Sequence, residues 1–365
     1  MKNTFGNNVS ITLFGESHGE AIGAVIDGLA PGIQVNEDNI RHQLSLRRPS
    51  GAISTSRVEK DNFKIISGVF GGYTTGAPIC IMIPNENTRS TDYEKTKDLM
   101  RPGHADYTAE CKYHGFQDFC GGGHFSGRLT AAVVAAGAIA IDALKNKGIL
   151  IGTHVKSVGE VSDREFDFDS LDKEIEALSN KSFATLSESA AEDMKAMIED
   201  AKRDLDSVGG VLETVVSGIP TGVGEPWFDS VEGLISHAMF SIPAIKGVEF
   251  GDGFALAKMR GSKANDEMRV KDGEVVTLTN HNGGINGGIT NGMPIVFRCA
   301  VKPTPSIYKE QSTVNVKTME NATIALNGRH DPAIIHRARV VVDSMTALTL
   351  VDLLSTRYGT DWLVK

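Results

Sequence analysis

Residues 23–33, GAVIDGLAPGI, read as a β-strand running through Gly28 into an Ala-Pro-Gly turn, and residues 210–223, GVLETVVSGIPTGV, repeat that plan. A second pair comes after the first: TTGAPICIMI at 74–83 and TNGMPIVFRC at 290–299. Each pair leads on to a long helix. Gly28 and Gly76 lie 48 residues apart and Gly218 and Gly292 lie 74 apart, so we read an old duplication with loop insertions. It predicts two sheet-and-helix halves, about 1–150 and about 209–365, meeting around one core. A polar, acidic segment, about 161–208, is inserted between them.

The local signals agree with this layout. NVSITLF and AIGAVIDGL read as strands, as do FKIISGVF, PICIMI, GVLETVVSG and MPIVFRCAV. Asn36 is placed to cap a short helix, EDNIRHQLSL, that stops before Pro49. A long helix is expected from about Arg128 to Lys147 with Gly148 at its end. Ser189 and Glu192 stand at capping-box spacing for a helix in the inserted segment. IIHRARVVVDSMTALTLVDLL reads as a second long helix.

The chain has 365 residues, 41% hydrophobic and 23% charged, as expected for a globular protein of one large or two smaller domains. Its net charge of −9 argues against nucleic-acid binding. Four cysteines without a C-x-x-C pair read as free thiols in a reducing cytoplasm. The N-terminus lacks the apolar core of a signal peptide. The alanine-rich run 131–144 reads as a buried helix, too short to cross a membrane. The 39 glycines gather in runs such as CGGGHFSG and NHNGGINGGITNG, where backbone can approach a ligand.

FGESHG, residues 14–19, matches the G-x-S-x-G pattern of a hydrolase nucleophile elbow. The context rejects it. Gly19 is succeeded by a strand and a turn, not a helix, and the 16 residues before Ser17 leave no room for an oxyanion loop. Other motifs pair histidine with arginine. RPGHADYTAE (101–110) sets Arg101 and His104 across a Pro-Gly turn, able to hold an anion and protonate it. GGGHFSGR (121–128) offers free N–H groups, Ser126 and Arg128 at a helix start, a plausible anion site. It is neither a Walker loop nor a Rossmann fingerprint. KPTPSI (302–307) and GRHDPA (328–333) add Lys302, Arg329, His330 and Asp331 before the last helix. His18, His104, His124 and His330 show no metal-ligand spacing, and no metal is expected. Arg47, Arg48, Arg57, Arg101, Arg128, Arg329, Arg337 and Arg339 lie near these motifs and point to a cationic pocket for a multiply anionic small molecule.

Taken in order, FGESHG, DGLAPG, RRP, SGVFGGYTTGAPI, RPGHADY, GGGHFSGR, GVEFGDGF, NHNGGINGGI, KPTPSI and GRHDP resemble the chorismate synthase family, from about residue 5 to about residue 356. The resemblance implies an α+β fold: a β-α-β sandwich with long central helices between two antiparallel sheets, assembled as a homotetramer. It implies a lyase that removes phosphate from 5-enolpyruvylshikimate 3-phosphate by anti-1,4-elimination, giving chorismate, with reduced FMN required. Arg47 matches the family's substrate arginine, Arg57 or Arg48 a second one, and Arg101, Arg128 and Arg329 line the substrate and flavin site. His104 resembles the acid that protonates the departing phosphate. His18 resembles the histidine beside the flavin, with Ser17 and Ser126 as hydrogen-bond relays, and Asp331 the carboxylate that passes a proton on. Flavin contacts carry over to His124, Phe125, Ser126, Ala244, Gly287, Lys302, Pro303, Thr304, Pro305, Ser306 and Arg329.

This chain departs from the family pattern at His124, which stands where many members have arginine, and at Pro243, which replaces an asparagine. Nothing in the sequence reads as a built-in flavin reductase, so reduced flavin is expected from an external source and direct use of NADPH is in doubt. A cytoplasmic enzyme with no nucleic-acid or membrane partner is expected.

Overall fold

The computed structural model describes residues 2–49, 51, 53–54, 60–86, 97–326 and 330–364. Two five-stranded antiparallel sheets enclose a layer of helices. The first sheet contains β1 (Thr4–Phe5), β2 (Ser10–Gly15), β3 (Ala21–Asp27), β4 (Lys64–Ser67) and, after the small hairpin of β5 (Val69–Phe70) and β6 (Tyr73–Thr74), β7 (Ile79–Pro84). The second contains β8 (Leu150–Val158), β9 (Val161–Ser162), β10 (Gly210–Ser217) and β11 (Ile245–Phe250). Two more hairpins, β12 (Met268–Lys271) with β13 (Glu274–Thr277) and β14 (Ile285–Asn286) with β15 (Ile289–Thr290), precede its last strand, β16 (Ile295–Val301).

The strand orders correspond: β1-β2-β3-β7-β4 in one sheet, β9-β8-β10-β16-β11 in the other. The helices correspond as well. β3 leads to α1 (Glu37–Arg47) and β7 to α3 (Thr130–Lys145), by way of α2 (Asp106–Tyr113). β10 leads to α6 (Val231–Ser241), and β16 to α8 (Ile335–Tyr358). The first strand of the second unit, β8, lies upstream of the 161–208 segment, so that segment interrupts the unit and does not precede it. α4 (Leu171–Ser179) and α5 (Glu188–Arg203) are its helices, and α7 (Gly261–Ala264) is a short turn in a later loop.

Period-two burial fixes the sheets. In β7, Ile79, Ile81 and Ile83 are buried while Cys80 and Met82 are half-buried. α3 is buried nearly all round, which its run of alanines permits, and it meets α8 closely. A Cβ on Gly137 would stand 2.3 Å from that of Ser344, so only glycine allows this approach. α8 buries Ser344, Thr346 and Thr349 without penalty because each hydroxyl donates to the carbonyl four residues back, at 2.6, 2.8 and 2.7 Å. With the turn before it, α3 is apolar and long enough to cross a membrane, but it is a core helix packed on α8, α1 and the first sheet.

Most local expectations hold. Asn36 caps α1, its Oδ1 accepting from the N–H groups of Asp38 and Asn39 at 3.1 Å each. The expected capping box does not form. α5 starts one residue before Ser189, and the hydroxyl of Ser187 at its boundary donates to Asp163 (2.6 Å). The inserted segment is polar outside and apolar inside: Ile175 of α4 packs over Gly152 of β8, covering the outer face of the second sheet.

α3 and α8 run in the same direction. Arg128 before α3 and Arg337 in the first turn of α8 both act on Arg47. At the other end, the Lys147 ammonium beyond α3 sits 5.1 Å from the Trp362 ring beyond α8. Two buried helices therefore direct their positive ends to one region.

Candidate active site

That region lies where β7 and β16 leave their sheets for α3 and α8. The turn between β2 and β3 reaches it from the first half. Ser17 is buried; its N–H donates to the Gly123 carbonyl (3.1 Å) and its Oγ lies 3.2 Å from His18 Nδ1. The same Oγ is 3.2 Å from the Cys120 carbonyl and 3.3 Å from that of Gly121. Gly121 has φ 61°, and a Cβ there would fall 2.0 Å from His18 Cε1. The glycine run thus wraps the Ser17–His18 pair. This turn runs into a strand, β3, so Ser17 sits on no nucleophile elbow.

His124 turns to the other side of the same loop, where its Nδ1 donates to the Gly15 carbonyl (2.8 Å). Ser126 Oγ accepts from the Arg128 N–H (3.3 Å) and so caps the turn that opens α3. Phe125 is half-exposed, edge-on to Tyr113 at 5.8 Å.

Asp61 gathers the arginines. Arg128 pairs with its Oδ1; Arg47 Nη2 and Arg48 Nε stand 3.5 and 3.6 Å from its Oδ2. Arg128 Nε donates to Asn85 Oδ1 (3.1 Å), and Asn85 Nδ2 donates to the Glu16 and Gly19 carbonyls (2.9 Å each). Asn85 therefore ties the arginine cluster to the His18 turn. Burial pushes the Arg47 guanidinium down to about 10; Asp61 opposes this, and Arg337 and Arg128 add to it. Arg337 in turn pairs with Asp331.

His104 stands on the second side. Its Nε2 is 2.7 Å from Ser306 Oγ, and Lys302 Nζ donates to the Gly103 carbonyl (2.7 Å). Lys302 is itself held by its N–H to the Ala244 carbonyl (3.0 Å). Arg101 grips Asp106 bidentately, at 2.7 and 2.8 Å. Burial pushes the His104 imidazole down to about 4, with Arg101, Lys302 and His330 adding to it and Asp106 opposing. His330 is lowered by burial and Arg101 against Asp331. Asp331 therefore joins the two sides: it pairs with Arg337 and acts on His330 beside His104. His330 Nε2 and Thr304 Oγ1 are buried without a hydrogen-bond partner, which leaves polar atoms available to a ligand.

Contacts join Ser17, His18, Ser126, Arg47, Arg48 and Arg128 on one side and His104, Arg101, Ala244, Lys302 and Ser306 on the other, and the charges of Arg337, Asp331 and His330 couple the two. Arg57 and Arg329 lie outside the described residues. Gly287 lies elsewhere. Its hairpin bonds to the turn after β10, through Thr290 N–H to the Val223 carbonyl (2.9 Å), whereas Lys302 adjoins the start of β10. β10 has eight residues, roughly 25 Å at the usual strand rise. Sequence reading missed Asp61 and Asn85. Each is a lone polar residue at a strand or loop end, and only their distant partners give them meaning.

Comparisons with known proteins bear on the chain and its fold as a whole. The family model described as chorismate synthase matches residues 9–355. The chain is 47% identical over 347 residues to the chorismate synthase of Pyrococcus abyssi, covering 95% of this chain and 96% of that one. It is 48% identical over 353 residues to that of Lachnoclostridium phytofermentans, covering 96% and 94%. A solved structure titled as the crystal structure of chorismate synthase superposes with a TM-score of 0.76 at 30% identity, covering 97% of this chain and 94% of that one.

Proposed function

The chain belongs to the chorismate synthase family, and from that premise we infer how its own residues serve the reaction. It is a carbon–oxygen lyase of the shikimate pathway, forming chorismate from 5-enolpyruvylshikimate 3-phosphate. The observation that supports the mechanism is electrostatic: four guanidiniums, Arg47, Arg48, Arg128 and Arg337, gather near two helix starts, paired among the described residues with two carboxylates, Asp61 and Asp331. The excess suits a substrate with two carboxylates and a phosphate.

Phosphate leaves more easily when it is protonated as the C–O bond breaks. His104 is the proton donor in this reading. In the ligand-free protein its imidazole is neutral at pH 7, since burial and Arg101 hold it near 4. A trianion placed against it reverses the sign of its surroundings and raises its affinity for a proton. Proton delivery is thereby tied to substrate binding. Ser306 and Gly103, the latter held by Lys302, fix the ring in place. Ser17 orients His18 through Nδ1, so that the imidazole is held in place to carry a proton on the flavin side. Asp331, steadied by Arg337, receives a proton on the same side.

Reduced FMN, when bound, supplies transient electron density for the elimination. Phe125, Ser126, Ala244 and Lys302–Ser306 would hold it; the unpartnered Thr304 Oγ1 and His330 Nε2 fit a polar ligand there. Gly287 reaches such a flavin only from a neighbouring subunit, in keeping with a homotetramer. An external reductase supplying the flavin, without direct use of NADPH, and a cytoplasmic location complete the reading.

An anaerobic assay with substrate and reduced FMN tests it. Phosphate release in step with chorismate absorbance is expected. Phosphate release without chorismate would mean hydrolysis, and turnover with oxidised FMN alone would contradict the role of reduced flavin.

A further inference from the structure

Three guanidiniums converge on the carboxylate of Asp61, whose side chain is wholly enclosed. Its backbone is left-handed, φ 52°, a conformation that a non-glycine residue keeps only where its surroundings hold it. The guanidiniums also have anchors of their own. Arg128 donates to Asn85 and to the Pro84 carbonyl (3.3 Å), and Arg47 Nη1 to Thr130 Oγ1 (3.3 Å). One donor here is left over: Nε of Arg47 is buried and has no hydrogen-bond partner, whereas Nε of Arg48 faces Asp61 Oδ2 at 3.6 Å. A buried N–H without a partner is costly unless something arrives to accept from it.

We propose that Asp61 is a positioning residue for the substrate's anionic groups, holding Arg47, Arg48 and Arg128 from behind so that the Nε–H group of Arg47 remains for the ligand. Because its carboxylate is enclosed, the ligand does not displace it. Without its charge, three like charges face one another where little water screens them, and they separate. The proposal rests on the elimination reading of the site.

The test is anaerobic steady-state kinetics with 5-enolpyruvylshikimate 3-phosphate and reduced FMN, on wild type, Asp61→Asn and Asp61→Glu. The asparagine variant is expected to raise KM about 30-fold or more with kcat within about threefold, as for loss of one partner from a buried charge cluster. The glutamate variant, which restores the charge, recovers most of that loss. A KM that is unchanged or lowered in Asp61→Asn overturns the proposal, as does a fall in kcat and Tm with KM intact, which marks a merely structural residue. If Asp61→Asn does not fold, Asp61→Ser, which also removes the charge, decides: a KM raised about 30-fold supports the proposal and an unchanged one overturns it. Should wild type bind substrate by calorimetry yet fail to turn it over, the elimination reading fails, and the same titration on the variants still decides the role of Asp61.

Discussion

Thr74 and Thr290 hold the same turn in the two halves of the chain. Thr74 Oγ1 donates to the Ala30 carbonyl (2.6 Å) and accepts from the Ile33 N–H (2.9 Å). Thr290 Oγ1 donates to the Pro220 carbonyl (2.6 Å) and accepts from the Val223 N–H (2.9 Å). Both hydroxyls are buried, so each completes a turn that has no water to satisfy it. Thr74→Val or Thr290→Val keeps the shape and leaves a carbonyl and an N–H orphaned, at a cost of about 2–3 kcal/mol each. Urea denaturation of the two variants should show similar losses. A loss at one site and none at the other would deny that the turns are equivalent.

Gly121 is the tightest point around His18. Alanine there brings a Cβ to 2.0 Å of the ring and strains a backbone at φ 61°. The imidazole must move by an ångström or more, which should lower kcat about 100-fold. Far-ultraviolet circular dichroism should be unchanged, since the loop is not core. Full activity in Gly121→Ala would remove His18 from the mechanism.

His104 should change its protonation on binding. NMR of the imidazole is expected to give a value near 4 in the free enzyme and a higher one with substrate bound. His104→Ala should lower kcat by about 100-fold or more, with a smaller effect on substrate affinity. If both constants fall equally, His104 is an anion ligand and not the acid.

Acid should weaken the fold before its carboxylates do so. His336 is held down to about 4 by burial, with Arg337 adding, and His104 likewise, against an unfolded value of 6.5. Below pH 6.5 the unfolded chain takes up these protons and the folded one does not, so stability drops as pH falls from 6.5 to 4. For His336 the drop is on the order of 3 kcal/mol. Asp343 acts oppositely: burial raises it to about 6, so it takes a proton in the fold first and offsets part of the loss below pH 6. Calorimetric Tm against pH checks this. His336→Gln should flatten the profile, and an unaltered profile would show that His336 is not buried neutral.

The individual strands and caps were legible because their signals are local. Gly28 and Gly218 each close a strand, Asn36 caps its own helix, and the isoleucines of β7 alternate within six residues. The histidine and arginine motifs were legible for the same reason. The features that escaped depend on distance along the chain. Ser189 looked like a cap because nothing local shows that Asp163 takes the Ser187 hydroxyl. Asp61 and Asn85 carry no motif; Arg128, 67 and 43 residues away, gives them their roles. The separation of Gly287 from Lys302 is a product of strand order, which no short stretch of sequence expresses.

The central claim is that one arginine-walled cleft presents the substrate's phosphate to His104. A crystal structure of the enzyme with 5-enolpyruvylshikimate 3-phosphate and FMN measures this directly. The phosphate should lie within hydrogen-bond distance of His104 Nε2, with Nε of Arg47 donating to the same substrate. A phosphate seated away from His104, with Nε of Arg47 still unpartnered, would contradict it.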